Sequence, residues 1–547
     1  MLERVIEHWL TSVNEKTFQV PFSHILSSQG HTVVHISRHC GMELGKDILT
    51  IDKDGIPCAF QLKGGNISLA YWNKELSGQI QNLVAGNISH PSIPRGTLHR
   101  AFLVTNGKIE EEVARAVEDH NISWTKLGFY PLELIVGGNL VADAKDLKND
   151  FWPPGTHDLK TLLELHLEDG RAFFPKKKLA RLLEETLPFK RLKNSKVPSK
   201  VYCQRAISSA ALLTSLGLSS FSEKDNYFAQ IEAWTVFTAY VYGLAERWDL
   251  KEKYYSAPIL IAKTAIENAL TNLATEVTVR EHYVEGIAEV DNPFYRIRIT
   301  ILLSMLNIHY LWRRSNDCAF EDIDIFIKTF GKENRKRIEF WGEAVVPQFL
   351  SIFWGYRLSD GTMVPDFFLR DMINAITSRN GRKGNAPLAS PYFGLDRLLP
   401  NFLDGHLNNL VPHGYRLSTE PIDANFGSMS HTIEGLVHIF VRRNWKQNMK
   451  AMWPAISRIH QRSFDYKKGW HFYRWRNEEG GEIMKIISPK QSWQALKDES
   501  FECQGEEVPD LLKQDPVFAL LFLVIFPHRL NASFIRWLDT ALREAVH

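Results

Sequence analysis

The stretch Gly41-Met42-Glu43-Leu44-Gly45-Lys46-Asp47, running on through Ile48-Leu49-Thr50-Ile51 and Asp52-Lys53-Asp54-Gly55 to Cys58-Ala59-Phe60-Gln61-Leu62-Lys63-Gly64-Gly65, decides the fold. Two short apolar runs flank a joint that pairs a glycine with acidic residues, the composition of a hairpin turn. On such a hairpin Asp47, at the start of one strand, lies across from the end of the other. Residues two apart on a strand point to the same face, so Gln61 and Lys63 project together beside Asp47. A carboxylate, an amide oxygen and an ammonium at one sheet edge are groups that can hold a hard divalent cation and a phosphate ester.

Working outward, Phe18 to Gln29 reads as a helix and Thr32 to Ile36 as a strand. Downstream, Ala101 to Gly107 reads as a strand ending in Thr105-Asn106, Ile109 to His120 as a helix and Leu132 to Val136 as a strand. In this order the first quarter of the chain resembles the PD-(D/E)xK nuclease superfamily, most closely its Mrr-like restriction endonuclease branch. That pattern is a helix, a strand, Gly-x-Asp opening a second strand and Gln/Glu-x-Lys closing a third. Gly45-Lys46-Asp47 and Gln61-Leu62-Lys63 supply the two motifs.

The resemblance implies an α/β N-terminal domain, restriction-endonuclease-like, with a mixed central sheet flanked by helices. It implies a metal-dependent endodeoxyribonuclease acting in restriction of foreign DNA, with Asp47, Gln61 and Lys63 as the catalytic residues. Asp47, Gln61 and the backbone carbonyl of Leu62 would hold Mg2+, for which Mn2+ substitutes. Lys63 would assist the attacking water or steady the charge on phosphorus. Two departures stand out. Gln61 is neutral where many relatives carry Glu or Asp, and the first helix shows Gln19, Val20 and Pro21 where many carry a Glu. Glu43 and Glu75 are the two candidates to replace that acid. A catalytically weak DNA-binding scaffold and a nuclease acting on RNA are the alternative readings.

Around the motifs, Lys46 falls on the opposite face from Asp47 and is expected in packing or solvent. Gly64 and Gly65 either let a backbone approach DNA or simply end the strand. Asn106 and Lys108, at a strand end facing the same edge, are candidate phosphate contacts. On the helix Trp72 to Ala85, Glu75 and Gln79 are four apart and share a face, toward the site or toward solvent.

Composition bounds the rest. A chain of 547 residues is long enough for two or three domains, and 44% apolar with 23% charged residues is globular. A net charge of +2 is too balanced for a general polyanion surface, so any DNA footprint is local. Five scattered cysteines without CxxC spacing argue against a disulfide framework or zinc ribbon. The first residues lack the apolar core of a signal peptide, and Val517 to Phe526 is about half a membrane span. A cytoplasmic protein with no membrane contact is the expectation.

A polar stretch from Asp143 to Gly155 predicts the end of the first domain, giving 1–155. Residues 156–200 then read as a basic helical linker, with nine Lys or Arg against two Glu between Lys176 and Lys200. Residues 201–547 read as a mostly helical sensor or assembly region, with long helices such as Tyr227 to Arg247 and Phe294 to Trp312. Its partner would be a second copy or another defence protein. Trp470 to Arg476 and Ile483 to Ile487, around Asn477-Glu478-Glu479-Gly480-Gly481, predict a hairpin whose aromatics pack across strands. The basic loop Ser378 to Asn385 lacks a P-loop ending, and His431, Glu434 and His438 read as core or surface side chains rather than metal ligands.

Overall fold

The computed structural model describes residues 2–37, 46–152, 155–190, 196–279, 293–316, 321–334, 337–360, 366–380, 391, 395, 429–464, 469–475, 482–486, 490–502, 505 and 507–546. They form two compact units, residues 1–269 and 270–547. The first carries a five-stranded sheet of β1 (Thr32–Ile36), β2 (Ile48–Ile51), β3 (Pro57–Lys63), β4 (Arg100–Thr105) and β5 (Leu132–Ile135), in that spatial order. The first three strands are an antiparallel meander, and β3–β4–β5 run parallel. This is the mixed sheet expected. Asp52 closes the β2–β3 turn by accepting the N–H groups of Asp54 and Ile56, each at 2.9 Å. Gly55 there has φ +83°, a conformation open to glycine at little cost.

Helices cover both faces: α1 (Leu2–Ser12), α2 (Glu15–Ser28), α3 (Ser77–Ala85), α4 (Glu111–Lys126) and α5 (Gly137–Phe151). Alternation along the strands puts Leu49, Ala59, Ala101 and Leu103 in one core with Ile80, Val113 and Val117. Phe60 and Phe102 stack on the other face, centroids 4.5 Å apart, with Phe22 of α2 edge-on to Phe60 at 5.7 Å. Each phenylalanine buried this way contributes roughly 1.5–3 kcal/mol. Parallel strands need a crossover. Between β3 and β4 its helical part begins with a short α turn at Leu69–Tyr71, passes through a π turn at Trp72–Leu76 and continues as α3.

No break follows residue 155. The Ser209 hydroxyl donates to Leu147 O at 3.0 Å, and the His24 ring of α2 stacks on Trp234 at 5.7 Å. The first unit therefore includes the helices Lys200–Gly217 and Tyr227–Trp248. The first part of the basic stretch is a packed helix, Lys176–Thr186, with Leu179, Ala180, Leu182 and Leu183 buried. Its charges are matched by acids far away in sequence: Lys176 by buried Glu232, Lys178 by Glu164 at 3.1 Å and Arg181 by Asp158 at 3.5 Å.

The second unit is mostly helical, with a small sheet of β6 (Met429–Ser430), β7 (His460–Phe464) and β8 (Glu482–Ile486). The expected hairpin is corrected here. β8 pairs antiparallel with β7, whereas Gly469–Tyr473 is a 3-10 turn. Consecutive Phe472 and Tyr473 are both buried, and Arg529 donates to His471 O at 2.9 Å, so the segment coils instead of alternating. Val517 to Phe526 is buried as anticipated, its first nine residues in the helix Pro516–Ile525. Among the described residues no helix is long and apolar enough to cross a membrane. Most of the loop from Ser378 to Asn385, and Asn477 to Gly481, lie outside the described residues.

Candidate active site

Ile48 pairs with Phe60, and the β2–β3 register stops there. The Asp47 N–H still donates to Phe60 O at 2.8 Å, but β2 has ended. Half-buried Asp47 then accepts the Leu62 N–H on Oδ2 at 2.7 Å. In an extended strand the N–H and C=O of one residue leave by the same edge, so the Leu62 carbonyl also faces Asp47.

Gln61 is only 2% exposed. Its Nε2 donates to Gln79 Oε1 at 2.7 Å, which turns its own Oε1 the other way, and that oxygen is buried without a partner. An unsatisfied buried acceptor costs about 1–3 kcal/mol. Such an oxygen is relieved by a donor or a cation. An amide oxygen, a carboxylate and a peptide carbonyl are the donor types that a hard divalent ion takes. Lys63 stands two residues further on at the tip of β3, its ammonium 3.5 Å from Glu15.

Two contributors escape a reading of the sequence. Glu15 is the first residue of α2, set there by Asn14, whose side chain accepts the Thr17 N–H at 2.9 Å. The capped helix start was its one local signal. Gln79 is the other, and of the pair Glu75 and Gln79 it is Gln79 that turns to the site. Glu75 is exposed beside Lys74 at 3.9 Å, on the π turn that precedes α3. Single π turns of this kind recur at functional positions. Glu43 lies outside the described residues.

Asn106 has a different role from the one expected of it. It is 2% exposed, donates to Leu10 O at 2.9 Å and Val13 O at 2.7 Å, and accepts the Gly65 N–H at 2.8 Å. Its polar atoms thus brace the α1–α2 junction against the tips of β3 and β4 and leave no group for a phosphate. Gly64 and Gly65 are exposed beyond Lys63, and Gly65 has φ +77°. A side chain on Gly107 would meet the Gly65 carbonyl at 2.4 Å, so the two strand tips touch backbone to backbone. Lys108 is exposed at the same end. Lys46 is packed rather than solvated, but it reaches the same helix as Gln61: it is 4% exposed, donates to Asn82 O at 2.9 Å, and burial holds its ammonium below the usual lysine range.

In the second unit, one group of metal-capable side chains among the described residues closes to within 4.8 Å: Glu434, His438 and Glu499. Arg536 stands among them, 3.4 Å from His438 Nε2 and 2.8 Å from Glu499 O. A cation of the protein's own therefore already faces that group. His431 is not part of it, and its N–H donates to buried Glu343 at 2.7 Å. Compared with family models, with curated proteins and with solved structures, the chain gives no match to any of them.

Proposed function

We propose that this protein is a metal-dependent endonuclease that hydrolyses phosphodiester bonds in DNA, and that it serves in restriction of foreign DNA. The observation that carries this reading is the orphaned, buried Oε1 of Gln61, the residue before Leu62, whose N–H the Asp47 carboxylate accepts. Asp47, Gln61 and the Leu62 carbonyl would hold Mg2+ or Mn2+. Bound there, the ion would polarise a phosphoryl oxygen and lower the pKa of a water. Lys63 supplies a positive charge for a non-bridging phosphate oxygen as negative charge builds on it. Glu15, 3.5 Å from Lys63, holds the ammonium at the strand tip until a phosphate competes for it. The exposed Gly64-Gly65 pair removes side-chain bulk where a polynucleotide would pass.

One observation favours a second reading, a scaffold that binds DNA without cutting it. Asp47 and Gln61 together offer one negative charge where two would hold the ion more tightly. Cleavage and binding assays separate the two. Full-length protein is incubated with plasmid, linear duplex, single-stranded DNA and structured RNA in Mg2+, Mn2+ or EDTA, beside Asp47→Ala and Lys63→Ala. Metal-dependent cutting of DNA that both substitutions abolish supports the nuclease. Nicking retained by both purified variants would sink this site, and calorimetry without metal uptake would favour the scaffold.

A further inference from the structure

Within the second unit, three helices end close together: Val346–Asp360, Ile433–Arg442 and Ala532–Val546. Asp539 of the last is their common anchor. It receives Arg443 on both oxygens, Arg442 at 3.4 Å and the Trp354 indole N–H at 2.9 Å. Arg443 also lies over the Phe353 ring at 4.8 Å, and Arg442 over exposed Phe501 at 5.4 Å. One carboxylate is thus fully engaged by two guanidinium groups. Two more arginines flank it. Arg543 follows Asp539 by one turn on the same helix, and Arg357 follows Trp354 by three residues.

Among the described residues neither Arg357 nor Arg543 finds a hydrogen-bond acceptor or an ion-pair partner. Arg357 is half-buried, and burial, then the nearby Arg443, presses its guanidinium below the usual range, with Asp539 opposing and Arg543 adding to the effect. Helix C-termini favour arginine, which explains one such residue per helix end. It does not explain a half-buried guanidinium placed among like charges with none of its donors on a protein acceptor. Four arginines around one aspartate are short of negative charge, and a planar guanidinium fork matches the oxygens of a phosphate.

We propose that Arg357 and Arg543, backed by Arg442 and Arg443, form a receiving site for a phosphate group in the second unit, separate from the Asp47 site. The ligand chemistry is a phosphate ester or anhydride, carried by a small molecule or by a nucleic-acid backbone. The test uses full-length protein in EDTA, so that no cleavage intervenes, at near-physiological salt. Calorimetry with inorganic phosphate and with pyrophosphate is run beside fluorescence anisotropy with a labelled single-stranded oligonucleotide. Wild type is compared with Arg357→Gln, Arg543→Gln and Arg370→Gln, the last an exposed arginine elsewhere in the same unit. Loss of about tenfold in affinity for Arg357→Gln and Arg543→Gln, but not for Arg370→Gln, is expected. Binding of phosphate or pyrophosphate alone identifies a small-molecule ligand, and binding of the oligonucleotide alone identifies a nucleic acid. Arg543 is exposed, so its variant keeps the test valid even if Arg357→Gln fails to fold. No binding of any probe by wild type, or equal losses in all three variants, would overturn the proposal.

Discussion

Replacing Gln79 by leucine isolates the contact behind Gln61. The substitution keeps a good helix former on α3 but removes the acceptor of the 2.7 Å bond from Gln61 Nε2. Gln61 is 2% exposed, and an unpaired buried donor costs about 1–3 kcal/mol. Gln79 itself is exposed, so water reaches part of the gap and the lower end, about 1 kcal/mol, applies. For a unit of this size that is about 2–4 °C in melting temperature. The consequence for metal is larger in kind. With its nitrogen no longer held, the Gln61 amide can turn, and the oxygen is no longer fixed in one direction. Hydrogen-bond partners behind a ligand are typically worth 10–100-fold in metal affinity, so about tenfold weaker Mg2+ binding is expected, near 1.4 kcal/mol. Gln79→Glu keeps the acceptor and should retain affinity. Calorimetry with Mg2+ and Mn2+ gives the affinities, and thermal melts in EDTA give the stability. A Gln79→Leu variant that binds metal as tightly as wild type would refute the orientation argument, whereas a wild type that binds none would instead remove the metal site itself.

Asn106→Ala should destabilise the first unit by about 2–4 kcal/mol, because three backbone groups lose their partner. A urea titration reads this, and a change under about 0.5 kcal/mol would show the brace to be incidental. His24→Phe should make the protein more acid-resistant. Burial lowers the His24 pKa to about 3, and neither ring nitrogen has a partner. The unfolded chain takes up a proton below its ordinary value of 6.5 while the folded chain does not, so the folded state loses about 1.4 kcal/mol per pH unit as pH falls from there toward 3. Melting temperatures of the two proteins should diverge below pH 6.5, and parallel curves would count against it.

The hairpin was legible because its information is local: Asp52 and Gly55 build the turn, and alternation along β3 sets Gln61 on the face of Ala59. The long helices were legible for the same reason, from apolar positions at threes and fours. Glu15 was not, because its meeting with Lys63 depends on how α2 lies along the sheet. Gln79 was half legible: its spacing from Glu75 was plain, but a π turn inside the segment decides which of the two turns inward. Asn106 was misread because a polar residue at a strand end is normally open to water, and only the α1–α2 junction folding over it makes it internal. The start of the basic stretch, Lys176 to Arg181, misled by counting charge along the chain, when the acids that answer it sit on other helices. Trp470 to Trp475 misled because rings and polar residues in alternation describe a strand and also a 3-10 turn.

The Asn106 brace has a consequence for how the N-terminal residues should be handled in the laboratory. Leu10 and Val13 provide the carbonyls it grips, and Glu15 follows immediately after. Trimming α1, or pulling on it through a bulky fusion partner, would loosen that grip. The disturbance would arrive at the amine of Lys63 from some fifty positions upstream, with every motif residue still intact.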